Sequence, residues 1–519
     1  MANPSEQAEH WQAIITERYP LVLYVFDWAA ARGISVFLVG GTVRDLLMDA
    51  DTHDLDFAVD GDGLEIARCL ADDLHGAYVP LDRERRTGRV LLTSWPHTRP
   101  SDPPHRYFLD MASMRGSDLV SDLRDRDFTI NAIAAGRDGA SWHLYDPLGG
   151  IEDIRKRVLR TPSPLSFTSD PVRTLRAIRM HIQFQCSLEP ETRQRLVSAA
   201  PLLSNVSAER VRDEWFNILM RPRAATALAE LREMGLLQII AAPMDRLQRI
   251  QCDRGSGDAL AHSISVVAAL EQWWAALRLL PSSFPLPAPD AFSTVSSALR
   301  QRYEGTICDE RTMLGLLKCA GFLHNVGKLP GSVLANDQRI HPRQVAAEAA
   351  EKLGRQWRLS NVENAFLRTV VAACTQPDRL AQEPILSRRA THRYFRENGE
   401  YGIDAAIVSM AHYAARNKPD PADTAWQRQV ATVVQLLVAF FHQHDTVIAP
   451  PPLLNGTDLL TLFDLSPGPL IGTLLSSLYE AQAADEFHTR EEAIAAAASL
   501  LRSMPLVPPV VPAKHDTET

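Results

Sequence analysis

The segment HDLDFAVDGDG, His53 to Gly63, carries Asp54, Asp56, Asp60 and Asp62. Carboxylates crowded this closely repel and raise one another's pKa unless a cation sits between them. Two cation chemistries use such a cluster. A calcium loop starting at Asp54 would put Asp56 third and Glu65 twelfth, but Ala58 and Val59 stand fifth and sixth, where a ligand and a glycine are required. In a strand, by contrast, Asp54 and Asp56 share one face and Leu55, Phe57 and Val59 point to the other. A carboxylate pair of that kind suits paired divalent metals, roughly 3.5–4 Å apart, which activate an attacking hydroxyl and neutralise a leaving pyrophosphate. The alternative is a solvated turn rich in aspartate.

The neighbouring segments have the character needed to position such a pair. Residues 8–32 have helical periodicity ending at Gly33, and ISVFLV is a short β-branched and aromatic run expected to form a buried strand. GGTVRDLLMD follows as a helix opened by Gly40 and Gly41, where unhindered amides and the positive helix end can approach a phosphate chain, with Arg44 one turn in. HDLDFAV, RVLLTSW and RYFLDMAS are further expected strands, which makes this region α+β. From about Asp170 onward, Ala/Leu/Arg-rich helical patterns dominate, so the chain reads as a mixed head on an all-helical body. Proline-rich breaks at 280–292 and 448–456 are expected loops. Thr489 and Glu492 form a capping box, and the last residues are expected to be disordered.

A chain of 519 residues is too long for one ordinary core, so two to four domains are expected. No apolar run reaches the roughly 18–20 residues of a membrane span, and the N-terminus lacks the pattern of a secretory signal. Six scattered cysteines without C-x-x-C spacing argue against a zinc ribbon or a disulfide framework, and a cytoplasmic location without membrane partners is expected. The net charge of −9 hides a basic run, Arg155, Lys156, Arg157, Arg160, Arg173, Arg176 and Arg179, with the single acid Asp170 among them. Such a run is either a solvated helix face or a strip for a polyanion.

Four segments in order, FLVGGTVRDLL…HDLDFAV, LRDRDFTINAIA, YDPLGGIEDI and DPVRTLRAIRM, resemble class II tRNA nucleotidyltransferases, the CCA-adding enzymes and their bacterial poly(A) polymerase relatives. The likeness is strong over 35–182 and weaker through the helical body. It implies a polymerase-β-like nucleotidyltransferase head with a mixed β-sheet over 1–160, a nucleotide-reading and RNA-binding neck over 161–250, and a helical body over 251–447. A C-terminal helical tail over 448–504 and a disordered tail over 505–519 complete the expected division. The implied activity is template-independent, Mg²⁺-dependent addition of CCA from CTP and ATP to the tRNA 3′ end. CC-adding, A-adding and poly(A)-polymerising enzymes are its siblings, separated by flexible loops, here 81–106. An RNA-binding protein without catalysis and an HD-type phosphohydrolase are the readings of another class.

Within that resemblance Asp54 and Asp56 match the metal-binding pair, and Asp110, in YFLDMASMR, is the candidate third carboxylate, a strand-end aspartate paired with an arginine being the alternative. Arg126 and Asp127 match the motif that engages the ribose 2′-hydroxyl, whose first arginine is Asp125 here; Asn131 is expected to support the same pocket. Asp170 and Arg173 match the pair that hydrogen-bonds the Watson–Crick edge of CTP or ATP. An i,i+3 spacing would let both reach one base from a helix with Ser169 as N-cap and Pro171 in the first turn. Of Arg176 and Arg179, one is expected to meet triphosphate or tRNA and the other to pack. LKCAGFLHNVGKL resembles the centre of an HD phosphohydrolase motif with Asn325 in the place of the aspartate. His412 stands where the last aspartate would be, while His262 and His324 remain. Neutral ligands weaken a hydrolytic metal pair, so a silent helical scaffold is expected there.

Overall fold

The computed structural model describes residues 4–93, 95, 106–139, 141–252, 257–279, 292–308, 310–328, 342–420 and 422–503. The expected disordered tail, residues 280–291 of the 280–292 break and residues 94 and 96–105 of the 81–106 loop lie outside these residues. The chain divides into two compact units, Met1–Ile218 with Glu230–Ile240, and Leu219–Ala229 with Ala241–Thr519.

The first unit begins with α1 (Pro4–Arg18) and α2 (Pro20–Ala30). Pro20 divides the expected single helix, because a proline suits the first turn of a helix and not its interior. Then follow β1 (Val36–Val39), α3 (Gly41–Leu47), β2 (Asp54–Val59), α4 (Gly63–Leu74), β3 (Ala77–Asp82), β4 (Thr87–Leu92), β5 (Tyr107–Ser113), α5 (Leu119–Arg124), β6 (Ala134–Asp138), β7 (Ser141–Tyr145) and α6 (Gly150–Lys156). Seven strands form one sheet in the order β3-β4-β5-β2-β1-β6-β7, with β2 and β5 parallel and the remaining neighbours antiparallel. This is the expected mixed sheet. Its core face packs Leu55, Phe57, Val59, Leu109 and Met111 against residues of α1, α2 and α4 such as Ile15, Val25 and Leu70. Val39 and Ala58 turn to the opposite face, toward Leu123 and Ala132, and Asp54 and Asp56 share that face by strand alternation.

Three strands, β3, β6 and β7, carry no clear alternating signal. β3 is an edge strand with mostly exposed residues, and β6 is Ala-Ala-Gly-Arg-Asp, a sequence of low strand preference. β6 belongs in the sheet because it is small: a side chain at Gly136 would come within 3.0 Å of the Phe37 and Tyr145 rings. The 81–106 segment is likewise not all loop, since residues 87–92 form β4, hydrogen-bonded between β3 and β5.

Beyond the sheet come β8 (Val158–Leu159), α7 (Ser166–Ser169), α8 (Arg173–Phe184), β9 (Ser187–Leu188), α9 (Pro190–Ala199) and α10 (Ala208–Met220). Ser169 closes α7 and does not cap α8. Pro171 drives the residue before it into extended backbone, so Asp170 (φ −147°) falls at a break and α8 starts three residues later. The second unit is essentially all α, with one small strand pair, Thr306–Cys308 with Arg311–Thr312. Long helices Ala259–Leu279, Met313–Leu323 and Gly402–Asn417 bury Val266, Leu270, Phe322, Ile407 and Val408. Near the chain's end Thr489 and Glu492 make the expected reciprocal cap.

Candidate active site

β2 and β5 run parallel in register, so Asp54 lies opposite Phe108 and Asp56 opposite Asp110. Three carboxylates therefore converge on two adjacent strands. Asp54 is exposed, while Asp56 and Asp110 are half-buried. Burial, followed by repulsion from Asp110, pushes the Asp56 carboxyl up to about 6, with Arg126 opposing the rise. Arg89, opposite Asp110 on β4, donates from Nε and a terminal nitrogen to its two oxygens at 2.7 and 2.8 Å. Asp110 thus has both the strand position expected of a third carboxylate and an arginine partner.

Thr42, only 1 % exposed in the first turn of α3, fixes the carboxylate strand. Its Oγ1 donates to the Asp54 carbonyl at 2.9 Å and accepts from the Asp56 amide at 2.8 Å. Gly40 has φ +72°, and a Cβ there would meet an Arg126 terminal nitrogen at 2.8 Å and Asp56 Oδ2 at 3.4 Å, so a side chain is doubly excluded. The Gly40 amide donates to the Ile133 carbonyl at 3.3 Å, and the Gly40 carbonyl accepts from the Arg44 amide at 3.2 Å. Arg126 stands between Gly40 and the buried Asp122, to which it donates at 2.8 and 3.1 Å. Asp125, in the place of the family arginine, accepts from Arg115 at 3.0 Å.

Arg44 is 9 % exposed and its guanidinium is engaged by Asp45 and by Asn131 Oδ1, with the Phe184 ring 4.3 Å away. Asn131, in a short 3₁₀ turn, donates to Asp127 Oδ1 at 2.8 Å, and Arg176 donates to Asp127 Oδ2 at 3.3 Å. Arg176 and Arg179 both donate to Glu214 on α10, at 3.0 and 2.8 Å. One chain of hydrogen bonds and ion pairs, Arg44–Asn131–Asp127–Arg176–Glu214–Arg179, thus ties α3 to α8 and α10. Neighbouring guanidiniums hold Asp127 and Glu214 below the usual carboxylate range in spite of their burial.

Arg173 is buried and donates to the carbonyls of Asp125 at 2.7 Å and Arg126 at 3.2 Å, so it pins the Arg126 segment. Its Nε lies 3.9 Å from Asp170 Oδ2, which accepts from Arg210 at 2.7 Å. The other oxygen, Asp170 Oδ1, is buried without a hydrogen-bond partner among the described residues. The basic run does not make one strip. Arg155 and Lys156 pair with Glu152, Arg160 with Asp153 and Glu189, and Arg173, Arg176 and Arg179 turn into the network just described. Sequence reasoning missed Thr42, Arg89, Arg210 and Glu214; each acts across a strand register or helix packing that spacing does not encode.

A mixed-sheet head with this carboxylate strand, carried on an all-α body, defines an RNA nucleotidyltransferase. The family models support it: "Poly A polymerase head domain" matches residues 36–160, and "Probable RNA and SrmB-binding site of polymerase A" matches residues 186–244. The A-adding tRNA nucleotidyltransferase of Deinococcus radiodurans is 31 % identical over 88 % of this chain and 93 % of its own. The CC-adding tRNA nucleotidyltransferase of Geobacter sulfurreducens is 28 % identical over 91 % of this chain and 94 % of its own. The CCA-adding enzyme of Leuconostoc mesenteroides is 33 % identical over 38 % of this chain and 48 % of its own. In fold the chain resembles a CCA-adding enzyme solved with ATP, at TM-score 0.62 and 18 % identity over 94 % of this chain and 97 % of that one. It also resembles the Thermotoga maritima CCA-adding enzyme complexed with tRNA, at TM-score 0.57 and 18 % identity over 95 % of this chain and 98 % of that one. The chain belongs to the class II tRNA nucleotidyltransferase and bacterial poly(A) polymerase family. Among the described residues no helix is long and apolar enough to cross a membrane.

Proposed function

We propose that the protein adds nucleotides from CTP and ATP to the tRNA 3′ end without a template, completing CCA. The observation that carries this reading is the register that sets Asp56 beside Asp110 with Asp54 two residues away on the same strand face. Three carboxylates, one of them, Asp56, pushed up to about 6, fit a divalent cation of the Mg²⁺ class, which oxygen ligands select. When bound, such ions stabilise the attacking 3′-oxygen and the departing pyrophosphate.

The protein's own part is positioning. Asp54 and Asp56 would hold the ions, Thr42 fixes the backbone between them, and Arg89 orients Asp110. Gly40 and Gly41 leave room for the triphosphate, and Arg44 keeps Asn131 and Asp127 in place for the ribose, with Arg126 beside them. Asp170 Oδ1, a buried acceptor without a hydrogen-bond partner among the described residues, would take the donor edge of the base, with Arg173 beside it. Arg176 and Arg179 stiffen this wall through Glu214. A buried acceptor without its hydrogen bond costs about 1–3 kcal/mol, which a correctly bound base relieves.

The full-length likeness to CC-adding and A-adding enzymes favours a second reading, in which the chain adds only part of the triplet. Purified protein is given tRNA ending before CCA or after CC, with labelled CTP, ATP or both. Sequential incorporation of C, C and A supports the first reading, CTP-only or ATP-only incorporation the second, and no incorporation removes both.

A further inference from the structure

The second unit holds a cluster that the head's chemistry does not use. His262 on the helix Ala259–Leu279, His324 at the end of Met313–Leu323 and His412 on Gly402–Asn417 point their ring nitrogens at one another. Nε2 of His262 and Nε2 of His324 each lie 3.1 Å from Nδ1 of His412, and all three ligand atoms fall within 4.8 Å. Imidazole nitrogens on a tetrahedral ion at about 2.0–2.1 Å are about 3.3–3.4 Å apart, close to this spacing.

The hydrogen bonds leave the cluster incomplete on its own. His324 Nδ1 donates to the Gly321 carbonyl at 2.7 Å, so in the neutral ring Nε2 presents a bare lone pair to the centre. His412 Nδ1 then faces two imidazole nitrogens and satisfies only one of them with a single proton. A shared cation satisfies both, and the Gly321 carbonyl is the outer partner that orients a metal-binding histidine. Asn325, in the place of an acidic ligand, donates to the Ala259 carbonyl and to Ser263, bracing the helix that carries His262. The three histidines border a cavity of about 700 Å³ that Lys328, Arg343, Arg379 and Arg416 also line, with no carboxylate among its described lining residues.

We propose that His262, His324 and His412 form a site for a single transition-metal ion of the zinc class, whose open position faces the cationic cavity and takes a phosphate-class anion. Three neutral imidazoles suit zinc, cobalt or nickel and not magnesium, so this site is separate in its metal from the one in the head. With no anionic ligand on the ion, the charge of the complex is balanced by the anion, which the four basic side chains attract.

The test uses the full-length protein stripped of metal and titrated with Co²⁺, whose visible absorption reports tetrahedral binding. About one equivalent should bind, excess Mg²⁺ should not displace it, and His412→Leu should lose it at least 100-fold in affinity. His412→Asp should retain it, and nucleotide incorporation should be unchanged in both variants. Inorganic phosphate and AMP are added separately. A spectral change with the first alone identifies a free anion, a change with AMP identifies a phosphomonoester, and Arg379→Met should weaken either. Binding of less than a tenth of an equivalent, or full binding in a folded His412→Leu variant, overturns the metal site; no response to either anion overturns its ligand.

Discussion

Asp56 is penalised for being ionised in the metal-free fold. Its folded pKa of about 6 lies above the unfolded carboxylate value, so the cost is absent at acid pH, grows through the interval between the two and is complete above about 6. Asp56→Asn should therefore raise the melting temperature in EDTA at pH 7.5 and leave it nearly unchanged near pH 4. The same change should lower nucleotide incorporation by about 10³-fold or more, since a neutral amide holds a divalent ion poorly. A lower melting temperature at pH 7.5 would show that Asp56 is held by its surroundings and not strained by them. Thr42→Val keeps the shape but loses both bonds to the carboxylate strand. Stability should fall by about 1–2 kcal/mol, and kcat should fall about 10-fold while KM changes little.

At the level of elements, Glu214 fastens α10 to α8 by accepting from two arginines. Its folded pKa is depressed, so the stability it contributes is present above the ordinary glutamate value of about 4.3 and is lost as pH falls below it. Glu214→Gln should cost about 1–3 kcal/mol at pH 7, because Arg179 loses its acid partner and Arg176 keeps only Asp127, and it should flatten the acid limb of the stability curve. Thermal unfolding across pH 3–8 measures both. β2 and β5 were legible in sequence because β2 alternates carboxylate with large apolar residues and β5 sets Asp110 between Leu109 and Met111. β6 was not, because its place depends on Phe37 and Tyr145 closing over Gly136. The break at Asp170 could be read from Pro171, yet Ser169 was expected to cap a helix that begins only at Arg173.

For the whole protein, a net charge of −9 leaves RNA affinity dependent on local basic residues and sensitive to salt. Binding of tRNA should weaken as NaCl is raised from about 50 to 200 mM, with log Kd linear in log salt concentration. Nitrocellulose filter binding checks this, and salt-independent binding would exclude phosphate contacts as its source. The sequence by itself determined the carboxylate pair, the order of the motifs, the mixed head and the helical body, because period, glycine placement and residue type are local properties. Only the tertiary structure decided that Arg89 clasps Asp110, that most of the basic run turns to acids and carbonyls of its own unit, and that three histidines from three helices meet. Those depend on strand register and helix packing, which bring together residues as far apart as His262 and His412, and no spacing along the chain records that distance.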